Sequence, residues 1–211
     1  MSKLALNSFV ASLLVSMTLL PALAAGPNYP TVAYNATYAR LNSAGTSSYR
    51  ICTDGEGHVR IETTPPQAGL TISSESPART IQIFDYPHHQ SYTLLEKQKL
   101  AIEQPLRTDA SAAPLDDTRI KEMNGKSLGA AVKFGQPCHG WQYEVNGVMT
   151  ESWTADKLNC PIHTVTTSTS GDEVMHLQKY VLMTPDPSEF EVPHDYKITK
   201  STLSPGMPKN Q

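Results

Sequence analysis

The run Trp141-Gln142-Tyr143-Glu144-Val145-Asn146-Gly147-Val148-Met149-Thr150-Glu151-Ser152-Trp153 decides the fold class. Asn-Gly is the favoured loop of a two-residue type I′ hairpin, because both loop residues must tolerate positive φ. In the register that loop sets, Val145 faces Val148, Tyr143 faces Thr150 and Trp141 faces Ser152. Trp141, Tyr143 and Val145 then share one face with Val148 and Thr150, while Gln142 and Glu144 share the other with Met149, Glu151 and Trp153. Neither face is fully polar, so the hairpin is either sandwiched or offers one face to a ligand.

Working outward, the same period of two recurs. Downstream, Pro161 to Thr167 and Glu173 to Leu182 form a second hairpin across Ser168 to Asp172. Upstream, Thr31 to Leu41 alternates, with Val32, Tyr34, Ala36 and Tyr38 on one side. Tyr49 to Thr53 and His58 to Thr64 flank the turn Asp54-Gly55-Glu56-Gly57, and Arg79 to Tyr86 pairs with His89 to Leu95. Pro65-Pro66 and Pro77 punctuate these arms. Glu103 to Thr118 carries neither period and reads as a mobile loop. Asp116 to Asn124 reads as a short Asp-capped helix closed by Gly125, with Leu115, Ile120 and Met123 available to pack. The pattern gives about eight to ten short strands and one or two helices. The expected architecture is mainly β: a single curled antiparallel sheet, a half-barrel, with the short helices as a lid. Such a sheet buries its concave side only against helices, a second sheet or a ligand.

Composition bounds the rest. Sixteen Pro and 12 Gly in 211 residues argue against long helices, and a net charge of −3 argues against a nucleic-acid partner. Met1 to Ala25 has one basic residue, Lys3, an apolar run from Phe9 to Leu20 and a small-residue site at Ala22 and Ala24. This is the pattern of a signal peptide, residues 1–24, and predicts export to the periplasm or beyond without a remaining transmembrane segment. No Cys adjoins the cleavage site for acylation. Residues 25–198 then form one domain, and residues 199–211, with Pro205 and Pro208, a disordered tail. In an oxidising compartment two of Cys52, Cys138 and Cys160 are expected to pair, and Cys138 with Cys160 is preferred because they bracket the strongest hairpin. The alternative is a zinc or nucleophile site built from Cys138-His139 and Cys160-Pro161-Ile162-His163.

Short blocks in a distinctive order carry a family resemblance. They are Asp54 to Glu62 with its Arg60-x-Glu62, Thr80 to Pro87 with Asp85, and Ser91 to Leu95 with Tyr92. The later blocks are Gly135 to Trp141, Trp153 to Ile162, and Pro185 to Tyr196, which closes on Phe190-x-x-Pro193-x-x-Tyr196. Over about residues 30–198 the chain resembles exported bacterial proteins of an uncharacterised family with a LolA-like curved sheet. The resemblance implies a half-barrel with a helical lid, the shape that encloses acyl chains in lipoprotein carriers. It implies no activity and carries over no binding residue.

The expected function is binding of a lipid, acyl chain or other apolar ligand, with Tyr38, Trp141, Tyr143 and Trp153 as candidate lining residues. The competing expectation is an envelope interaction or structural module with a protein partner and no small ligand. Catalysis is not expected: His88-His89 beside Asp85, His139 and His163 are accompanied by no nucleophile elbow, HExxH or phosphate loop. No cofactor or metal is implied.

Overall fold

The computed structural model describes residues 27–65, 79–106, 111–145, 147–158, 160–169 and 171–201. Its strands are β1 Tyr34–Asn42, β2 Gly45–Thr53, β3 His58–Thr64, β4 Thr80–Asp85, β5 Gln90–Leu95, β6 Leu100–Pro105, β7 Lys126–Lys133, β8 Gln136–Val145, β9 Val148–Ala155, β10 Pro161–Ser168, β11 Gly171–Leu182 and β12 Lys197–Lys200. They make one open, curled sheet in the order β12-β6-β5-β4-β3-β2-β1-β11-β10-β9-β8-β7. Two meanders, β1 to β6 and β7 to β11, meet where β11 lies antiparallel to β1.

The central hairpin has the register read from its turn: Trp141 opposes Ser152, Tyr143 opposes Thr150 and Val145 opposes Val148. Gly147 has φ of 77°, as the turn requires, and Asn146 lies outside the described residues. At the other hairpin Asp54 Oδ1 accepts from the amides of Glu56 and His58. Gly55, at φ of 80°, lies so close to the backbone of Thr31 to Ala33 that a Cβ would meet it at 3.0–3.2 Å. The helix α1, Asp117–Glu122, is capped by Asp116, which accepts from the Arg119 amide, and it buries Ile120.

Five expectations change. Leu100–Pro105 and Lys126–Lys133 are strands, so the chain has more strands than its periodicity suggests, and the loop expected from Glu103 begins only after β6. Their sequences, LAIEQP and KSLGAAVK, hold a single β-branched residue each, Ile102 and Val132, and no aromatic one, so they lack the signal by which the other strands are read. Lys197–Lys200 pairs parallel to β6, so the sheet is not wholly antiparallel and Thr199 and Lys200 do not belong to a disordered tail. The reason is the crossover from β11, which brings the chain over the sheet to its far edge before β12 is laid down. Lastly, Cys138 and Cys160 form no disulfide: all three thiols are free and buried. Cys138 belongs to a cluster with Trp153, Ala155 and Ile162, and Cys160 to another with Tyr34, Ala36 and Tyr38. The segments 1–24 and 202–211 lie outside the described residues.

Ladder register divides the side chains into two faces. The front face carries Tyr34, Ala36 and Tyr38 of β1, opposite Thr53, Ile51 and Tyr49 of β2. The back face carries Ile81, Ile83, Leu94 and Ala101, all buried beneath Phe190, Val192 and Tyr196 of the crossover. The crossover is pinned by charge. Arg60 donates to the Glu189 carbonyl at 2.9 Å, and Arg50 and Arg60 both approach the Glu189 carboxylate. Glu62 sits among Arg50, Arg60 and Arg79; burial opposes its ionisation, yet the Arg60 hydrogen bond and the surrounding guanidiniums hold its carboxyl below the usual range.

Candidate functional site

The front face is where apolar lining and open volume coincide. Tyr34, Ala36 and Tyr38 are almost wholly buried there, with Tyr49, Ile51 and Met175 packed against them. Tyr38 and Tyr49 meet edge to face, ring centres 6.1 Å apart. Burial pushes the Cys160 thiol, which neighbours the Tyr38 hydroxyl, up to about 11.

Two openings flank this face. At one end a cleft of about 490 Å³ lies between Tyr143 of β8 and Leu115, Arg119, Glu122 and Met123 of α1 and its entry. Gly125 lets the helix close on β8, since a Cβ there would lie 2.9 Å from the Tyr143 Cβ and 2.8 Å from the Gln142 carbonyl oxygen. Arg119 ties α1 to the N-terminal segment, donating to the Pro27 carbonyl at 2.6 Å and to Asn28 Oδ1 at 3.2 Å. At the other end, a cavity of about 220 Å³ is lined by Arg40, Tyr49, Thr164, Thr166, Glu173 and Met175. A continuous row of opposed residues, Tyr143–Thr150–Thr166–Glu173, runs from one opening to the other.

A neighbouring row on the same face is unusual in its polarity. Trp141 opposes Ser152, Ser152 opposes Thr164, Thr164 opposes Met175, and Met175 opposes Arg40. Trp141 Nε1, Ser152 Oγ, Thr164 Oγ1 and Arg40 Nε are each buried, with no hydrogen-bond partner among the described residues. A buried polar group left unmatched costs about 1–3 kcal/mol, so four in one row on one face call for a physical reason.

Of the four expected lining residues, the structure gathers Tyr38, Trp141 and Tyr143 on the front face. Trp153 belongs elsewhere. It opposes Gly140, and its ring covers that glycine on the back face; Nε1 donates to Glu151, and Lys133 Nζ stands 4.4 Å from the ring centre. Sequence reasoning misses Arg40, Ser152 and Thr164, because isolated Arg, Ser and Thr in strands carry no signal of their own. The histidines fall in separate places, save that His58 and His88 share Asp85, which lies 3.8 Å from His58 Nε2. His88 pairs with Asp85, His58 with Asp54, and His139 with Asp156, while His163 faces His176 across the ladder. Among the described residues no group of three His, Cys, Asp or Glu side chains is placed to hold a metal ion. Nor is any described helix long and apolar enough to cross a membrane.

The fold defines a class: a mainly β, curled single sheet with a short helix at one end of its apolar face, the architecture that the resemblance of the sequence blocks implies. No protein-family model matches the sequence, and no curated protein matches it. Among solved structures, the chain is similar to an uncharacterised conserved protein from Thermus thermophilus, at 10% identity and a TM-score of 0.58 over 81% of this chain and 91% of that one. It is also similar to a putative outer membrane lipoprotein-sorting protein domain from Vibrio parahaemolyticus, at 8% identity and a TM-score of 0.39 over 75% and 89%. MucB matches at 10% identity and a TM-score of 0.45 over 78% of this chain and 58% of MucB. At these identities the likeness is one of fold.

Proposed function

We propose that this chain is an exported bacterial envelope protein, periplasmic or secreted after loss of residues 1–24, that binds a lipid, an acyl chain or a lipidated partner on its front face and is not an enzyme. The observation that carries this reading is the front face itself. Buried Tyr34, Ala36, Tyr38 and Trp141 lie between two openings, one of them a cleft of about 490 Å³ beneath a helix. That size suits a small-molecule or single-chain ligand. The signal-peptide pattern supplies the compartment.

The test is native mass spectrometry, with organic extraction, of the mature protein purified from the periplasm without detergent. Stoichiometric lipid supports the proposal. A clean ligand-free mass, together with no uptake of added lipid, overturns it and favours an envelope interaction module. One observation favours that second reading: Val132 and Phe134, at the tip of the β7–β8 hairpin, are 72% and 61% exposed.

A further inference from the structure

We infer that the Arg40–Thr164 end of the row Trp141–Ser152–Thr164–Arg40 recognises the uncharged carbonyl of an acyl ester or amide, and so selects acylated molecules over free fatty acids. The inference rests on the proposed apolar-ligand reading and adds the chemistry of the polar end.

Valence limits what can complete the row. Indole Nε1 and guanidinium Nε are donors only, and the serine and threonine hydroxyls donate or accept. A molecule that completes this row must therefore bring acceptors, and bring them to both ends. Along the row Trp141 and Arg40 are four strand spacings apart, about 19 Å measured around the sheet, so no single compact head group serves both. The cavity lies at the Arg40–Thr164 end, where an entering acceptor carries its apolar length against Tyr49 and Met175.

Charge decides between an anionic and a neutral acceptor. Arg40 is the only cation in the row, and its Nη2 is already paired with Glu173 at 2.6 Å. Glu173 lines the same cavity as Arg40 and Thr164. A carboxylate or phosphate entering there meets a like charge beside a guanidinium that is already neutralised. An ester or amide carbonyl brings the required lone pairs without charge, and both Arg40 Nε and the Thr164 hydroxyl are available to donate to it. Glycerides and acylated polypeptide termini share this chemistry.

The test uses the delipidated mature protein and displacement of the apolar fluorophore N-phenylnaphthylamine at about pH 8, where palmitate is a carboxylate. The competitors are hexadecane, palmitate, monopalmitoylglycerol and an N-palmitoyl peptide amide. Monopalmitoylglycerol or the acyl amide should bind about tenfold more tightly than palmitate and hexadecane, and whichever of the two is tighter identifies the source of the carbonyl. In Thr164→Val the preference of the ester or amide over palmitate should fall about tenfold. The same variant should unfold at a higher urea concentration in the absence of ligand, because an unmatched polar atom is removed from the interior. Equal binding of palmitate and the ester, or an ester preference that survives Thr164→Val, overturns the inference while leaving apolar binding intact. Failure of every competitor and of the fluorophore to bind overturns the apolar-ligand reading and the inference with it.

Discussion

Gly140→Ala tests whether Trp153 is a structural element of the back face or a ligand surface. A Cβ on Gly140 would stand 2.7 Å from each of three carbons of the Trp153 six-membered ring, well inside contact distance. Gly140 has no positive φ, so backbone strain does not enter, and the whole cost is steric. The ring is rigid and only 6% exposed, and it is held by the Glu151 hydrogen bond and by Lys133, so it cannot swing aside as a flexible chain end would. Overpacking of this sort costs about 1–3 kcal/mol, and full displacement of the ring adds lost burial up to the scale of a Trp truncation, about 3–5 kcal/mol. A loss of about 2–4 kcal/mol is expected, read from urea unfolding followed by far-UV circular dichroism, with a change in Trp fluorescence in the native baseline. In a Trp153→Leu background the same substitution should cost at least about 1 kcal/mol less, since the clash partner has gone. An unfolding free energy changed by less than about 0.5 kcal/mol, or an equal cost in both backgrounds, refutes the reasoning.

The charges and thiols make the protein sensitive to pH and to labelling in three further ways. Glu62 has its carboxyl held below 4.5, so the stability it contributes is complete above that pH and fades as pH falls through the folded value. Glu62→Gln should cost about 1–2 kcal/mol at neutral pH, reduced because Arg79 is solvent-screened, and the gap to wild type should close in urea titrations at acid pH. Burial, His176 and Lys133 push His163 below 6.5 despite Glu151, so wild-type melting temperature should fall as pH drops below that value. His163→Leu should flatten that fall, and an unchanged slope refutes it. Cys52 and Cys160 are each pushed up to about 11, first by burial, so native protein should resist thiol-directed reagents while urea-unfolded protein labels at three sites. An intact mass 2 Da low, or one thiol instead of three, contradicts the free-cysteine structure.

What the sequence determined by itself is what local physics controls. Asn146-Gly147 sets the register of the central hairpin, because a two-residue turn leaves the arms one way to pair. Asp116 and Gly125 bound the helix for the same reason: capping and close approach act within a few residues. Alternation in Tyr34, Ala36 and Tyr38 marks a strand with one buried face, and the curled mainly β architecture follows from the succession of such strands. The alternation also separates Trp141 from Trp153, although it does not say which face is the site. Only the tertiary structure decided that. The pairing of β1 with β11 brings Arg40 beside Met175 and Thr164, residues more than a hundred positions away, and completes the row and the cavity. It also decided the fate of the cysteines and of β12, because free thiols in separate clusters and a parallel edge strand depend on where distant segments come to rest. A one-dimensional pattern records which side chains share a face; whether a hydroxyl or an indole on that face finds a partner is settled only when the neighbouring strands are in place.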